Sequence, residues 1–321
     1  MNILFLNLFN DYWKEKFRNI KNEFPNVDFT TSYDPEERPE LLKKADVVIC
    51  GRLTKEEIES SPNLKVIIVH FTGINNFPID FIKQKGIILA NTHAQAHVVA
   101  EHALALALIL MGKIIEFHDD LKKGIWNRSI ESDDMWTSLY GKRVGIIGFG
   151  NIGKIIAMLL KHFKCHITGF KKNSVDGSSE PANEVSTDLN YVIENSDVLF
   201  IALPSSESTK KIISKELLMK MHGKYLINVG RGDTVDEEGL YESLKQGILA
   251  GAGLDVWFNY PGKQEGPVLP ASKPFWELPN VVFSPHKSSH VQEAINAMID
   301  DTFENVRSYI KTGSPKNLVK L

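Results

Sequence analysis

Val144-Gly145-Ile146-Ile147-Gly148-Phe149-Gly150-Asn151-Ile152-Gly153 runs from a short apolar strand straight into the helical pattern Lys154–His162. The spacing of its last three glycines has a physical reading. The first permits a tight turn, the second lets a backbone approach a pyrophosphate, and the third lets the helix pack against the strand. The helix N-terminus then faces the anion with its free N–H groups and positive dipole end. A glycine turn alone is weak, but here the preceding strand, the following helix and the next strand agree, so the stretch predicts a dinucleotide-binding βαβ unit.

Outward from that turn the same grammar continues. Strands are expected at Arg143–Ile147, His166–Phe170, Val198–Leu203, Tyr225–Val229, Leu249–Asp255 and Val281–Phe283, with a helix over Gly153–Phe163. Six strands with helical connections imply a doubly wound sheet. Upstream, short apolar runs alternate with amphipathic stretches: a strand at Ile3–Leu8, a helical pattern over Tyr12–Phe24, then strands at Asp46–Cys50, Lys65–Phe71 and Ile87–Leu89. Five buried parallel strands are expected in this first unit. Between the two units, Val98 to about Lys123 is rich in Ala and Leu, lacks Pro and closes on Lys122-Lys123-Gly124, which predicts one long helix. After the proline-rich loop 259–274, His290–Lys311 carries apolar residues at helical spacing, and Asn317–Lys320 suits a last short strand.

Composition excludes several classes. With 37 basic and 40 acidic residues in 321, the net charge of −3 offers no electrostatic footprint for nucleic acid. The longest uncharged apolar stretch, Ala103 to Gly112, is well short of the roughly 20 residues a bilayer span needs, and the N-terminus has no basic segment of a signal peptide. Two distant cysteines, Cys50 and Cys165, make neither a disulfide framework nor a zinc site, and no histidines and carboxylates recur at ligand spacing. A small-molecule partner, no membrane, no metal and a reducing, cytoplasmic setting are the expectations.

Four further blocks extend the pattern: Val98-Val99-Ala100-Glu101-His102-Ala103-Leu104-Ala105-Leu106, Leu226-Ile227-Asn228-Val229-Gly230-Arg231-Gly232, Gly251-Ala252-Gly253-Leu254-Asp255-Val256, and Leu278-Pro279-Asn280-Val281-Val282-Phe283-Ser284-Pro285-His286. In order and spacing, over nearly the whole chain, the sequence resembles the D-isomer-specific 2-hydroxyacid dehydrogenases, of the glyoxylate/hydroxypyruvate reductase kind. The resemblance implies an α/β protein of two Rossmann-like domains. A discontinuous, flavodoxin-like substrate domain would comprise 1–95 and 289–321, and an NAD(P)-binding Rossmann domain 96–288. It also implies interconversion of a small 2-keto acid and a D-2-hydroxy acid, and a homodimer.

The same resemblance assigns residues. Arg231 would bind the substrate carboxylate and carbonyl, where a planar guanidinium can fork onto two oxygens. His286 would be the acid/base, and the backbone N–H groups of Gly73 and Ile74 would bind the carboxylate. Gly148, Gly150, Asn151, Ile152 and Gly153 would hold the cofactor, with Val99, Pro204, Thr209, Val229, Gly230 and Asp255 completing its site beside His286. The other nine histidines, His102 among them, are expected to be structural. One departure stands out: five positions after Asp255, where the family carries a glutamate beside its histidine, stands Tyr260. A phenol can orient an imidazole but cannot favour the imidazolium by charge; Glu265 in the proline-rich loop is the alternative carboxylate. Loss of that glutamate also fits a second reading, a dinucleotide-binding regulatory module with little or no turnover. His97, Trp257, Phe258 and His290 are candidates for a substrate pocket, the two aromatics equally for core or a subunit interface.

Cofactor choice rests on the turn after the second strand of the cofactor domain. Twenty-three positions after Gly148, where the family's ribose-binding aspartate falls, the chain reads Lys171-Lys172-Asn173-Ser174. Two lysines and small hydrogen-bonding side chains suit a 2′-phosphate, so NADP is expected over NAD; the alternative is that Asp176 reaches back to the ribose.

Overall fold

A computed structural model describes residues 1–6, 10–129, 135–173, 179–262 and 266–320; Leu8, Ser174, Asp176 and Glu265 lie outside them. The described residues divide into two units, 1–95 with 290–321, and 96–289.

The first unit holds a parallel sheet of β1 (Asn2–Phe5), β2 (Asp28–Thr31), β3 (Val47–Cys50), β4 (Val66–Val69) and β5 (Ile88–Ala90), in the order β2-β1-β3-β4-β5. It is the flavodoxin-like order, with helices α1 (Asp11–Glu23), α2 (Arg38–Lys44), α3 (Lys55–Glu59) and α4 (Ile79–Gln84) in the connections. Strand alternation divides the core. Ile3, Phe5, Val47, Ile49, Val66, Ile68 and Ala90 face one side with Trp13 and Ile20 of α1. Leu4, Val48, Cys50, Ile67, Val69 and Leu89 face the other with Leu42, Ile58 and Ile82. The C-terminal helix, Gln292–Thr312, closes the first face with Ile299, Phe303 and Val306, and Phe303 stacks on Phe5 at 5.4 Å.

Beyond that helix the chain is tied by one buried amide. Asn305 donates from Nδ2 to the Asn91 carbonyl at 3.0 Å and accepts from the Asn317 N–H at 2.9 Å. The segment expected as a last strand forms only a single antiparallel bridge, Ala90 to Leu318. Its backbone bonds are partly taken by the Asn305 side chain, so no ladder extends.

The second unit contains α5 (Ala96–Met111), α6 (Ile114–Lys122), β6 (Arg143–Ile147), α7 (Asn151–Lys161), β7 (His166–Phe170), β8 (Glu184–Ser186), α8 (Leu189–Glu194), β9 (Val198–Ile201), α9 (Lys215–Leu218), α10 (Glu237–Lys245), β10 (Tyr225–Asn228), β11 (Gly251–Leu254) and β12 (Val281–Phe283). Its seven parallel strands lie in the order β12-β11-β10-β9-β6-β7-β8, the doubly wound arrangement with its switch point between β6 and β9. One expectation is corrected here: the run from Val98 to Lys123 is two helices, not one. Lys113 takes the left-handed conformation at φ 51° after Gly112, and the axis bends by 55°. Among the described residues no single helix is long and apolar enough to cross a membrane; the bent pair together passes that test, but α5 buries eight side chains, six of them in the core it shares with the sheet and α7. Both cysteines are free and buried, with burial pushing the Cys50 thiol up to about 12 and that of Cys165 to about 11.

Replacing Asn305 with Leu strands a buried carbonyl and an N–H, each costing about 1–3 kcal/mol. Asn305→Leu is therefore expected to lower stability by about 2 kcal/mol or more and to open residues 314–320 to protease, measured by denaturant unfolding and limited proteolysis.

Candidate active site

A parallel sheet sends every chain reversal after a strand to the same edge, and ligands of such sheets bind there. In the second unit the sequence-predicted residues follow that rule: Gly148–Gly153 after β6, Lys171–Asn173 after β7, Pro204 and Thr209 after β9, Val229–Arg231 after β10, Asp255 after β11 and His286 after β12. Val99 instead lies in the core on α5. Gly73 and Ile74 stand in the first unit, in the loop after β4.

The glycine turn has the geometry its sequence implies. Gly148 sits at φ +102°, where its own N–H and that of Phe149 both reach the Phe170 carbonyl, at 3.3 and 3.1 Å. A side chain at 153 would drive its Cβ to 2.4 Å from the Gly148 carbonyl oxygen. Gly150 caps α7, nothing lies within 4 Å of where its Cβ would stand, and among the described residues the N–H groups of Asn151, Ile152 and Gly153 have no acceptor. Open space beside three unsatisfied N–H groups at an 11-residue helix's positive end fits a pyrophosphate. At the turn after β7, Lys171 is half-buried with its N–H on the Ser186 carbonyl at 3.1 Å, while Lys172 and Asn173 are exposed. Thr209 Oγ1 donates to the Pro204 carbonyl at 2.7 Å, and the Val229 and Gly230 N–H groups are held by Ile201 and by Asn228 Oδ1.

Arg231 is half-buried in extended backbone; its carbonyl accepts from Asn228 Nδ2 and Thr234 Oγ1 at 3.1 and 2.6 Å. Among the described residues its guanidinium forms no salt bridge, donating only to the Gly230 carbonyl at 2.7 Å. That leaves a fork with donors to spare.

Asp255 is fully buried. Burial opposes its charge, but donors outweigh it and hold its carboxyl below the ordinary 3.8: Ser284 Oγ at 2.5 Å and the N–H groups of Lys287 and Ser288 at 2.9 and 3.2 Å. Its carbonyl takes the His286 N–H at 2.8 Å, and His286 stands at φ +55°, a left-handed conformation uncommon outside glycine. The exposed His286 ring meets Tyr260 edge-on, centroids 5.5 Å apart at 63°. Tyr260 accepts the Trp257 N–H at 3.3 Å. Burial raises its pKa, against the Trp257 hydrogen bond and the nearby Arg231 charge, so it is a neutral phenol. Tyr260 thus lies beside His286 and feels the Arg231 charge.

Trp257 and Phe258 belong to the core. Trp257 stacks on Phe283 at 4.9 Å and donates from Nε1 to the Ser284 carbonyl, and Phe258 stacks on Phe275 at 6.0 Å. His290 and His97 are exposed, in the first and second units. Sequence reasoning missed Ser284, Ser288 and His102, whose Nε2 lies 2.9 Å from Ser284 Oγ. Their signal, a histidine one helical turn from buried positions and a serine before the Pro-His pair, becomes visible only once the elements are paired. Among the described residues no group of three metal-ligating side chains could hold an ion.

In the first unit, the N–H groups of Gly73 and Ile74 have no acceptor among the described residues, and Thr72 is pinned to Thr92 and Asn91. His70, just upstream, is largely buried against Trp13 and Phe71, its Nδ1 unpartnered.

Comparison with known proteins agrees with this architecture. Residues 104–288 match the model of the D-isomer specific 2-hydroxyacid dehydrogenase, NAD binding domain. A glycerate dehydrogenase of Methylorubrum extorquens is 30% identical over 91% of both chains. A glyoxylate/hydroxypyruvate reductase B of Pectobacterium carotovorum is 31% identical over 84% of this chain and 83% of its own. Among solved structures, an NADPH-dependent glyoxylate/hydroxypyruvate reductase of Sinorhizobium meliloti in complex with citrate superposes with a TM-score of 0.78 at 26% identity, covering 99% of this chain and 97% of its own. The chain belongs to the D-isomer-specific 2-hydroxyacid dehydrogenase family. It is an NAD(P)-dependent oxidoreductase of 2-hydroxy acids, a reading favoured over a module without turnover.

His70 gives this region a pH signature. Burial lowers its pKa from 6.5 to about 4, partly countered by a hydrogen bond to the Cys50 carbonyl. Stability from the neutral ring is fully present above 6.5, the unfolded value, and is lost as pH falls through the window down to about 4. The loss is about 3 kcal/mol. Thermal melts across that window are expected to show the decline in the parent chain and a flatter profile in His70→Phe.

Proposed function

We propose that the chain reduces a small 2-keto acid to the D-2-hydroxy acid with NADPH in preference to NADH, Arg231 binding the substrate carboxylate and carbonyl and His286 serving as acid/base. The observation that carries this reading is the placement of Arg231 and His286 just beyond β10 and β12, at the ligand-binding edge of the sheet that also carries the glycine turn, with the neutral ring of Tyr260 against His286. Gly73 and Ile74 add backbone donors for the carboxylate. The nicotinamide, when bound, supplies the hydride. Arg231 orients the 2-keto acid by a two-pronged hydrogen bond and stabilises the negative charge that grows on its carbonyl oxygen. His286 gives its proton to that oxygen and takes it back when the hydroxy acid is oxidised.

The residues suit the cofactor. The open N–H groups of Asn151, Ile152 and Gly153 would hold a pyrophosphate, with Gly148 and Gly150 leaving room, and Asp255 would serve the nicotinamide carboxamide. Lys171, Lys172 and Asn173 support a 2′-phosphate, since neither lysine forms a salt bridge among the described residues. Glyoxylate and hydroxypyruvate head the substrates to try, given the names of the relatives. Exposed apolar side chains along α6 and after it, Ile114, Ile115, Leu121 and Trp126, support a homodimer that covers them. Two free buried thiols support a cytoplasmic setting.

Purified protein is expected to oxidise NADPH on adding glyoxylate or hydroxypyruvate, with kcat/KM about ten- to a hundredfold above that with NADH, the worth of one or two charge-assisted hydrogen bonds. A preference for NADH overturns the assignment of Lys171 and Lys172. His286→Asn should lower kcat by about 10²–10⁴-fold, and Arg231→Lys should lose most activity because a point charge cannot replace the fork. Tyr260→Glu places a carboxylate beside His286 and is expected to move the pH limb of the essential acid upward by about one unit or more; an unmoved limb refutes the positioning role of Tyr260.

A further inference from the structure

Helix α5 and strand β11 run past each other in matched register. A Cβ added to Gly251 would meet Leu110 at 2.9 Å, and one added to Gly253 would meet Leu106 Cβ at 3.2 Å. Each step of two residues along β11 advances about 6.6 Å; each step of four back along α5 advances about 6 Å. The next pair in the series is Asp255 and His102, and there the contact changes from apolar to polar. His102 Nε2 lies 2.9 Å from Ser284 Oγ and 3.7 Å from Asp255 Oδ1. Ser284 has a single hydroxyl proton, which it gives to Asp255 at 2.5 Å. The remaining bond, from imidazole to serine, therefore runs from His102 Nε2–H to the Ser284 oxygen. The chain of donors ends on the carboxylate that gathers Lys287 N–H and Ser288 N–H and whose own residue holds the His286 N–H.

We propose that His102 is a positioning residue: through Ser284 it fixes the rotamer of the buried Asp255 carboxylate, and so holds the turn 284–288 that keeps His286 in its left-handed conformation. The proposal rests on the reading of His286 as acid/base only for its catalytic consequence; the relay itself is a property of the apoprotein. His102 is about one-third exposed and touches neither Arg231 nor the glycine turn in any hydrogen bond or ion pair among the described residues. Its loss should therefore disturb the placement of His286 while leaving carboxylate binding by Arg231 in place.

The test compares His102→Phe, His102→Gln, Ser284→Ala and the double variant His102→Phe/Ser284→Ala in the full-length chain. Glutamine carries its Nε2 donor near the position of the imidazole Nε2–H, whereas phenylalanine keeps the volume without the donor. Amide hydrogen exchange at Lys287 and Ser288 is expected to quicken at least tenfold in His102→Phe and Ser284→Ala, and to return towards the parent rate in His102→Gln. With glyoxylate or hydroxypyruvate, kcat is expected to fall about tenfold in the same two variants while KM for the keto acid stays within about threefold. The double variant should be no worse than Ser284→Ala, because both changes cut one chain. Exchange unchanged in His102→Phe, no recovery in His102→Gln, or losses that multiply in the double variant each overturn the relay. If exchange responds as expected but His286→Asn retains turnover, the acid/base reading fails and the relay stands.

Discussion

A carboxylate removed from water must be surrounded by donors, and Asp255 imposes that demand at the end of β11. The sheet edge answers it with the turn after β12: one hydroxyl and two backbone N–H groups converge on the two oxygens. The same residue's carbonyl takes the N–H of His286. Ser284 to Ser288 thus fold around a charge, and the histidine between them has little choice of backbone. A left-handed non-glycine residue costs energy of order 1 kcal/mol, which the four hydrogen bonds to Asp255 offset.

What the sequence reveals of the fold follows from how strongly each element announces itself. β3, β4, β6 and β9 are runs of buried apolar residues and are legible as strands at once. β2 and β8, at the sheet edges, are mostly polar and carry one and no buried side chain, so neither alternation nor an apolar run marks them. The break between α5 and α6 is hidden for a different reason. Helical composition resumes at once in Ile114–Lys122, so only Gly112 hints at the break, and the chain turns where Lys113 adopts φ 51° after it.

The candidate site divides in the same way. The glycine turn is legible because it depends on local chain geometry, a tight turn between strand and helix; Arg231 and His286 are picked out by the family resemblance, and each stands just beyond a strand. Tyr260 is legible as a departure, and its neutral state follows from its surroundings. His102 is not legible, because its role comes from the pairing of a helix with a strand some 150 residues away in sequence. It stands within the 98–106 block that carries the family resemblance, but nothing in that block gives its side chain a role, and a histidine on a mostly apolar helix is most simply a core residue. Only the coincidence of glycines at 251 and 253 with leucines at 110 and 106 shows how closely α5 lies on β11.

Trp257 also helps to place His286. Its indole stacks on Phe283 and donates to the Ser284 carbonyl, while its backbone N–H reaches the Tyr260 hydroxyl. One buried side chain therefore anchors the turn that carries the histidine, and its main chain anchors the ring that lies against it. Stacking is insensitive to pH, and backbone N–H donors do not titrate. On this side the imidazole is placed by neutral contacts, a rigid aromatic face and fixed dipoles. Under the proposed role of His286, replacing a carboxylate with a phenol in such a frame keeps the geometry while removing the charge, so residue 260 tunes the protonation equilibrium of the imidazole rather than its position.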